Sequence, residues 1–329
     1  LYADFTSEID LTYRSLQDSN TIYATKGRLY FKDNNFEGEG GTVNWSKLGL
    51  PQDEVYVELG KYSTTLNRAV LYADSVQFTN KEYFSYKLEG SFQDECRDKK
   101  TNKTFPLFTS YKKAEIIKNI YPDVDYVGGV TQQGGTILGT GDVVTPAELR
   151  FYKNGKIYVR ASAIEHPFSR DGIITKDCQI TIYTNNDSIY HPSTKMNFNK
   201  TNRQLFFSDY KEGISASPWV DSYHCVDIYT EAVYANLDDL NIEFGAIRGP
   251  KRETFAVIES NNYFSDEKWR KLQGIESVNP LYVVKQFTDV SKKKEFTVTE
   301  FSKFIKLDKV QAKMMLMNLA LNGFIIYES

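Results

Sequence analysis

One stretch concentrates the residue types that do chemistry. "SPWVDSYHCVDIY", residues 217–229, carries one of the chain's three histidines and one of its three cysteines, with Asp221, His224 and Asp227 spaced three residues apart. A carboxylate beside an imidazole can work as an acid–base pair or supply metal ligands, and local backbone conformation decides whether the groups meet. On a helix the three would lie at i, i+3 and i+6 and drift across the face, unlike the i, i+4 histidines of HExxH, which is absent. On a strand, Asp221, Tyr223, Cys225, Asp227 and Tyr229 share one face, while Ser222, His224, Val226 and Ile228 share the other. Tyr223, Val226, Ile228 and Tyr229 favour the strand. That reading separates His224 from both aspartates and makes it a hydrogen-bonded residue on a sheet face. Asp221, His224 and Asp227 remain the catalytic candidates, but they need partners from elsewhere in the chain. The other imidazoles, His166 and His191, each precede a proline, which biases them toward strand ends. No metal site and no cofactor are assigned.

Other motifs are weaker. "GISAS" (213–217) has Ser217 where G-x-S-x-G needs its second glycine. "GEGG" and "GGVTQQGGTILGTG" contain neither GxxxxGK[ST] nor a GxGxxG opening a helix, so their glycines are assigned to turns and bulges. Cys96, Cys178 and Cys225 are far apart, with no CxxC, so at most one bridge could form. The 43 acidic residues guarantee accidental carboxylate pairs, and the separation that matters for glycoside hydrolysis is spatial.

The elements that would position these residues are mostly strands. Tyr and Phe number 23 and 21, a composition that suits half-buried pleated surfaces. "GRLYF" (27–31), "GGTVNW" (40–45) and "AVLYADSVQF" (69–78) read as strands, and "LPQDEVYVELGKY" (50–62) as a short helix or a strand. "SYKKAEIIKNIYPDVDY" suggests one helical turn around 112–119, stopped by Pro122. From 126 the β signal returns, and "FYKNGKIYV" places Asn154-Gly155 between two β-rich runs, a type I′ hairpin signature. After "RGPKRE" (248–253) helices are expected. Ser265 would cap the first and Gly274 end it, Pro280 would open a second, Thr299 would cap a third and Asp308 a fourth. In the last helix Val310, Met314, Met317 and Leu321 form the expected core stripe. Met315, Leu316 and Leu319 widen it beyond one face, with Met315 and Leu316 as contact residues, Gly323 ends the helix, and "FIIYE" follows as a strand. This helix–turn–helix–strand unit, 295–329, resembles the core of a winged-helix domain. Lys303, Lys306, Lys309 and Lys313 give it a basic cast, but the apolar width of the last helix fits a protein contact better than a groove of DNA.

The expected architecture is therefore mainly β, a multi-stranded sandwich, barrel or irregular β-solenoid, with a small helical, winged-helix-like C-terminal domain. The expected divisions are 1–125, 126–250 and 251–329. Net charge of −3 argues against a general nucleic-acid or anionic-membrane footprint. No apolar run approaches the ~18 residues that would span a bilayer as a helix.

"FEGEGGTVNWSKLGL", "YADSVQF", "YPDVDYVGG", "SPWVDSYHCVDIY" and "IEFGAIRG" resemble segments of large proteins of Bacteroidetes-type bacteria that carry no established activity. The resemblance implies a longer parent chain and an envelope or exported setting, and it transfers no catalytic residue. The rhythm of "LYADSV" and "GKIYVRAS" is also similar to the stacked-strand repeats of lipopolysaccharide-transport proteins. The leading expectation is a non-catalytic structural or binding module for a protein or glycan partner, with Trp219, Tyr223, Met315 and Leu316 as contact residues. The alternatives are a polysaccharide hydrolase with paired carboxylates in an aromatic-lined groove, and a DNA-binding regulator acting through the C-terminal helices.

Overall fold

The computed structural model describes residues 1–97, 104–184, 186–208, 217–239, 241–247, 256–261, 266–273 and 278–328. The fold is mainly antiparallel β with helices at the C-terminal end. Two compact units divide it. The first comprises 1–120, 126–140 and 167–169, and the second comprises 121–125, 141–166 and 170–329. The helices expected as a separate 251–329 domain belong to the second unit.

In the first unit, Tyr2–Arg14 and Ser19–Tyr30 form a long hairpin with two register irregularities. Its first strand is dilute in apolar residues and escapes a hydrophobic-run reading, although its burial still alternates. Ser19–Tyr30 pairs with Asn35–Glu39, which pairs with Lys61–Thr65. A second ladder runs through Thr42–Asn44, Val55–Glu58, Val70–Asn80, Leu88–Glu95 and Leu107–Ser110, and ends on the hairpin 131–133/136–140. The 50–62 segment thus resolves into strands. In Val70–Asn80 the alternation holds to Asp74, and a bulge with Ser75 at φ 56° resets it so that Val76 and Phe78 also face inward. The core is aromatic: Phe78 stacks on Phe108 at 4.3 Å, and Trp45 meets Phe78 and Phe92 edge-on at 5.4 and 5.7 Å. Trp45 Nε1 donates to the Pro106 carbonyl, so the buried indole keeps its hydrogen bond. The expected helical turn near 112–119 is instead the strand Glu115–Tyr121, where Ile117, Ile120 and Tyr121 are buried. β-branched and aromatic side chains outweigh so short a helical pattern.

The second unit is built on a run of antiparallel neighbours: Ala147–Lys153, Lys156–Ala163, Gly172–Thr184 and Asp187–Asn199. Asn154 (φ 52°) and Gly155 (φ 73°) make the expected tight turn, which requires positive φ at both positions. Beyond Asp187–Asn199 the ladder forks. Its C-terminal half pairs with Gln204–Ser208, followed by Ala232–Asn236 and Ile242–Gly245. Its N-terminal half pairs with Trp219–Asp221, followed by Val226–Thr230 and Ala256–Ser260. Ala256–Ser260 is a strand inside the stretch expected to be helical, because Val257 and Ile258 give it the means to extend an exposed edge.

Four helices follow among the described residues: α1 (Asp266–Gln273), α2 (Pro280–Ser291), α3 (Val298–Ile305) and α4 (Lys309–Leu321). Pro280 sits in the first turn of α2, and Asp308 caps α4 by accepting from the amides of Val310 and Gln311. The cap of α3 is Thr297, not Thr299, because only Thr297 has a glutamate three residues on to close a capping box with Glu300. Ser265 and Gly274 lie outside the described residues. The helices bury Leu272, Val284, Phe287, Phe301, Leu316 and Leu319 against Tyr190 and Val220 of the sheet. The segment 324–328 forms no ladder: Tyr327 is buried in this cluster and its carbonyl accepts from Gln179 Nε2, so side-chain packing takes the place of a wing strand.

The buried side of α4 also differs from the expected stripe. Ala312, Lys313, Leu316, Leu319 and Ala320 face inward and Met317 of the expected stripe packs partly against the cluster, while Val310, Met314 and Leu321 are exposed. The helix has two apolar stripes, and the sequence gives no means to rank them. Lys313, expected on the surface, lies with Nζ donating to the Val143 carbonyl and 5.5 Å from the Tyr327 ring centre. Burial lowers the pKa of its ammonium, against an opposing pull from Asp142.

Candidate functional site

Residues 217–229 do not form one strand. Trp219–Asp221 and Val226–Thr230 are the arms of a hairpin, Asp221 pairs with Val226, and 222–225 form a four-residue turn. Asp221 causes the break. Its Oδ1 accepts from the amides of Tyr223 (2.9 Å) and His224 (3.2 Å), turning the chain as aspartate does at turn starts. Cys225 closes the turn at φ 55°. The Ser222 hydroxyl accepts from the Ser188 amide and donates to Asp187, which ties the turn to the neighbouring strand.

The expected separation of Asp221 from His224 is therefore overturned. Within the turn, His224 Nδ1 lies 2.8 Å from Asp221 Oδ2, and the Tyr223 ring meets the imidazole edge-on at 4.8 Å. A carboxylate accepts only, so Nδ1 carries a proton in this contact. The His224 side chain is 65% exposed, against 10% for Asp221. This resembles the orienting half of an acid–base constellation. The same carboxylate holds the turn through its other oxygen, however, and the neighbouring Cys225 sulfur contacts the Ser222 carbonyl. Asp227 is not part of the contact. It is buried, and its Oδ2 would lie 3.3 Å from a Cβ built on Gly323. Among the described residues, no group of three His, Cys, Asp or Glu is placed to hold a metal ion.

The other histidines are interior. His166 is fully buried and sits 2.8 Å from the Thr175 hydroxyl through Nδ1 and 3.1 Å from the Ala147 carbonyl through Nε2. His191 is 2% exposed. Its Nε2 lies 3.0 Å from the Ser217 carbonyl, its Nδ1 accepts from the Ser193 amide, and its ring lies 4.8 Å from that of Trp219. The carbonyl partners fix the proton on Nε2 in both. Burial pushes each imidazole down to about 4, against a smaller opposing effect of the carbonyl hydrogen bond. Both are neutral structural groups near neutrality.

Of the expected contact residues, Tyr223 is exposed. Trp219 is 4% exposed between His191 and Phe207, and Leu316 is in the core of the helical cluster, so both are interior. Met315 is partly buried against the same cluster. An indole in a polar context and a leucine on a doubly apolar helix look alike in sequence whether they face solvent or core.

No protein-family model, curated protein or solved structure matches the chain. Among the described residues, no helix is long and apolar enough to cross a membrane.

The cysteines supply a direct check on this arrangement. All three are free; Cys96 and Cys178 are buried and Cys225 is exposed in the turn. Burial pushes the Cys96 thiol up to about 12 and that of Cys178 higher still, which removes both from the reactive thiolate pool at neutral pH. Titration with an aromatic disulfide at pH 8 should modify one thiol in the native chain and three in denaturant. Cys225→Ser should abolish the native reaction.

Proposed function

We propose that the chain is a non-catalytic, β-rich binding module of a larger envelope-associated or exported protein, and that it docks an acidic amphipathic helix of a protein partner on its α3–α4 face. The envelope or exported setting rests on the sequence resemblance alone. The observation carrying the binding role is the apolar stripe left outside the core. Phe304, Leu307, Val310, Met314 and Leu321 are exposed, Met314 by 65%. Val310, Met314 and Leu321 stand at i, i+4 and i+11, the spacing a helix lying in a groove meets. Single exposed apolar residues are ordinary, whereas a helical row of them marks contact surface. Lys303, Lys306 and Lys309 are exposed beside the row, and none makes an ion pair among the described residues. That charge selects an acidic partner.

The probe is an acidic amphipathic peptide of about 18 residues, with leucines at helical spacing and glutamates flanking them. Fluorescence anisotropy with the full chain should show saturable binding that weakens with salt. Met314→Glu should weaken it about tenfold or more while leaving the fold intact, since burying such a side chain contributes roughly 1.5–3 kcal/mol. Binding unchanged in Met314→Glu, or absent in the unmodified chain, would refute the assignment. Duplex DNA binding with a steep salt slope, lost in Lys303→Ala/Lys309→Ala, would favour a DNA-binding role instead.

A further inference from the structure

We infer that a cleft in the first unit binds a compact oxyanion-bearing ligand, a carboxylate or phosphate on a molecule no larger than about one sugar residue. The cleft, about 240 Å³, is lined by residues 11–14 at the end of Tyr2–Arg14 and by residues 64–69 at and after the end of Lys61–Thr65. Its volume lies below the roughly 300–1,000 Å³ typical of sites for drug-sized molecules, which limits the occupant to a small group.

Its charge is one-sided. Arg14 and Arg68 are the charged residues of the lining, and no carboxylate lines it. Neither guanidinium makes an ion pair among the described residues. Elsewhere in this unit arginine finds a carboxylate: Arg28 bonds Asp4 through two nitrogens, and Arg97 bonds Glu95. Both side chains are exposed, and two like charges lining one concavity with no carboxylate among the lining residues leave a local positive potential. Asp94, reached from the lining through the Tyr13 hydroxyl, is buried and paired with Lys47, which also reaches Asp18 at 3.3 Å, and neither carboxylate lines the cleft. Guanidinium forks match the geometry of carboxylate and phosphate. Thr65 and Asn67, both exposed, also line the cleft and add polar groups for a ligand's hydroxyls. Backbone bonds from Leu66 to Asn34 and from Arg68 to Thr65 hold the loop that carries these groups.

The proposal is independent of the α3–α4 assignment. Its test titrates the full chain with glucuronate, inorganic phosphate and neutral methyl glucoside, followed by calorimetry and by the amide resonances of residues 64–69. Saturable binding of glucuronate or phosphate is expected, weakened by salt, with methyl glucoside inert. Glucuronate binding more tightly than phosphate identifies an acidic sugar as the source, and the reverse order identifies a phosphate-bearing ligand. Arg14→Gln and Arg68→Gln should each weaken binding about tenfold, and the pair should abolish it. Neither change breaks an ion pair, so the melting temperature should hold. Arg68→Lys should recover only part of the affinity, because an ammonium cannot bond as a fork. Failure of both anions to shift the 64–69 amides, or equal binding by the double variant, overturns the proposal.

Discussion

Acidification from pH 6.5 to 4 should remove about 3 kcal/mol of stability from the second unit for each of its two buried histidines. The imidazoles of His166 and His191 titrate near 6.5 in the unfolded chain and at about 4 in the fold. Above pH 6.5 both states are neutral and the full stability is present. Between the two values the unfolded chain binds more protons, so acid favours it. Below about 4 both states are protonated and these residues cause no further loss. Together the two histidines represent about 6 kcal/mol, comparable with the roughly 5–15 kcal/mol net stability of a typical domain. Urea unfolding at a series of pH values should therefore show a falling midpoint. Pulse hydrogen exchange should assign the loss to Gly172–Thr184 and Asp187–Asn199, which carry Thr175 and His191. His166→Gln and His191→Gln keep a donor and an acceptor but cannot titrate. Each should lower stability at pH 7 while flattening the acid slope by about 1.4 kcal/mol per pH unit. An unchanged slope in the double variant would show that neither histidine is buried neutral.

Much of the β architecture can be read locally. Asn154-Gly155 specifies its turn outright, because few other pairs accept positive φ at both positions. Asp308 and Pro280 mark helix starts for similarly local reasons. What escapes is whatever depends on which of two acceptable local solutions the tertiary structure selects. The 217–229 stretch alternates well enough to be one strand, yet Asp221 offers two amides a better acceptor than a continued ladder would, and the strand folds back. An Asp followed by Ser in a run of strand formers is the available signal, and strand propensity outvotes it. The α4 stripe fails differently: both of its apolar faces satisfy helical periodicity, and only the position of Tyr190, Val220 and Tyr327 decides that Leu316 goes in and Met314 stays out. The candidate site shares this limit. Residue types pick out Asp221 and His224, but their contact comes from a turn, and Arg14 and Arg68 lie more than fifty positions apart with no pattern linking them.

Breaking the buried ion pair of the first unit should cost about 3–5 kcal/mol, the range for stranding one partner of an interior charge pair. Asp94 has no solvent-accessible surface. Its carboxylate accepts from the Tyr13 hydroxyl at 2.6 Å, Asn20 Nδ2 at 2.7 Å and Lys47 Nζ at 2.9 Å, joining three separate elements. Lys47→Met leaves the carboxylate charged and buried with only neutral donors. Asp94→Leu strands the Tyr13 and Asn20 donors. Each single change should lower the urea midpoint sharply, while Lys47→Met/Asp94→Leu should cost clearly less than the two losses added, because the double change removes both charges of the pair and leaves only the part-exposed Asp18 without its lysine. Full additivity would mean the pair does not interact. Alkali supplies an independent readout. Burial and then Asp94 raise the Tyr13 hydroxyl well above 10. Burial alone would lower the Lys47 ammonium, but the Asp94 carboxylate outweighs it and the net shift is upward. In both cases the unfolded chain gives up its proton first, so stability is complete below pH 10 and falls as pH rises toward the folded values. Lys47→Met removes the lysine contribution, so the variant should lose less stability than the parent chain on going from pH 9 to pH 11, measured by urea unfolding at the two pH values.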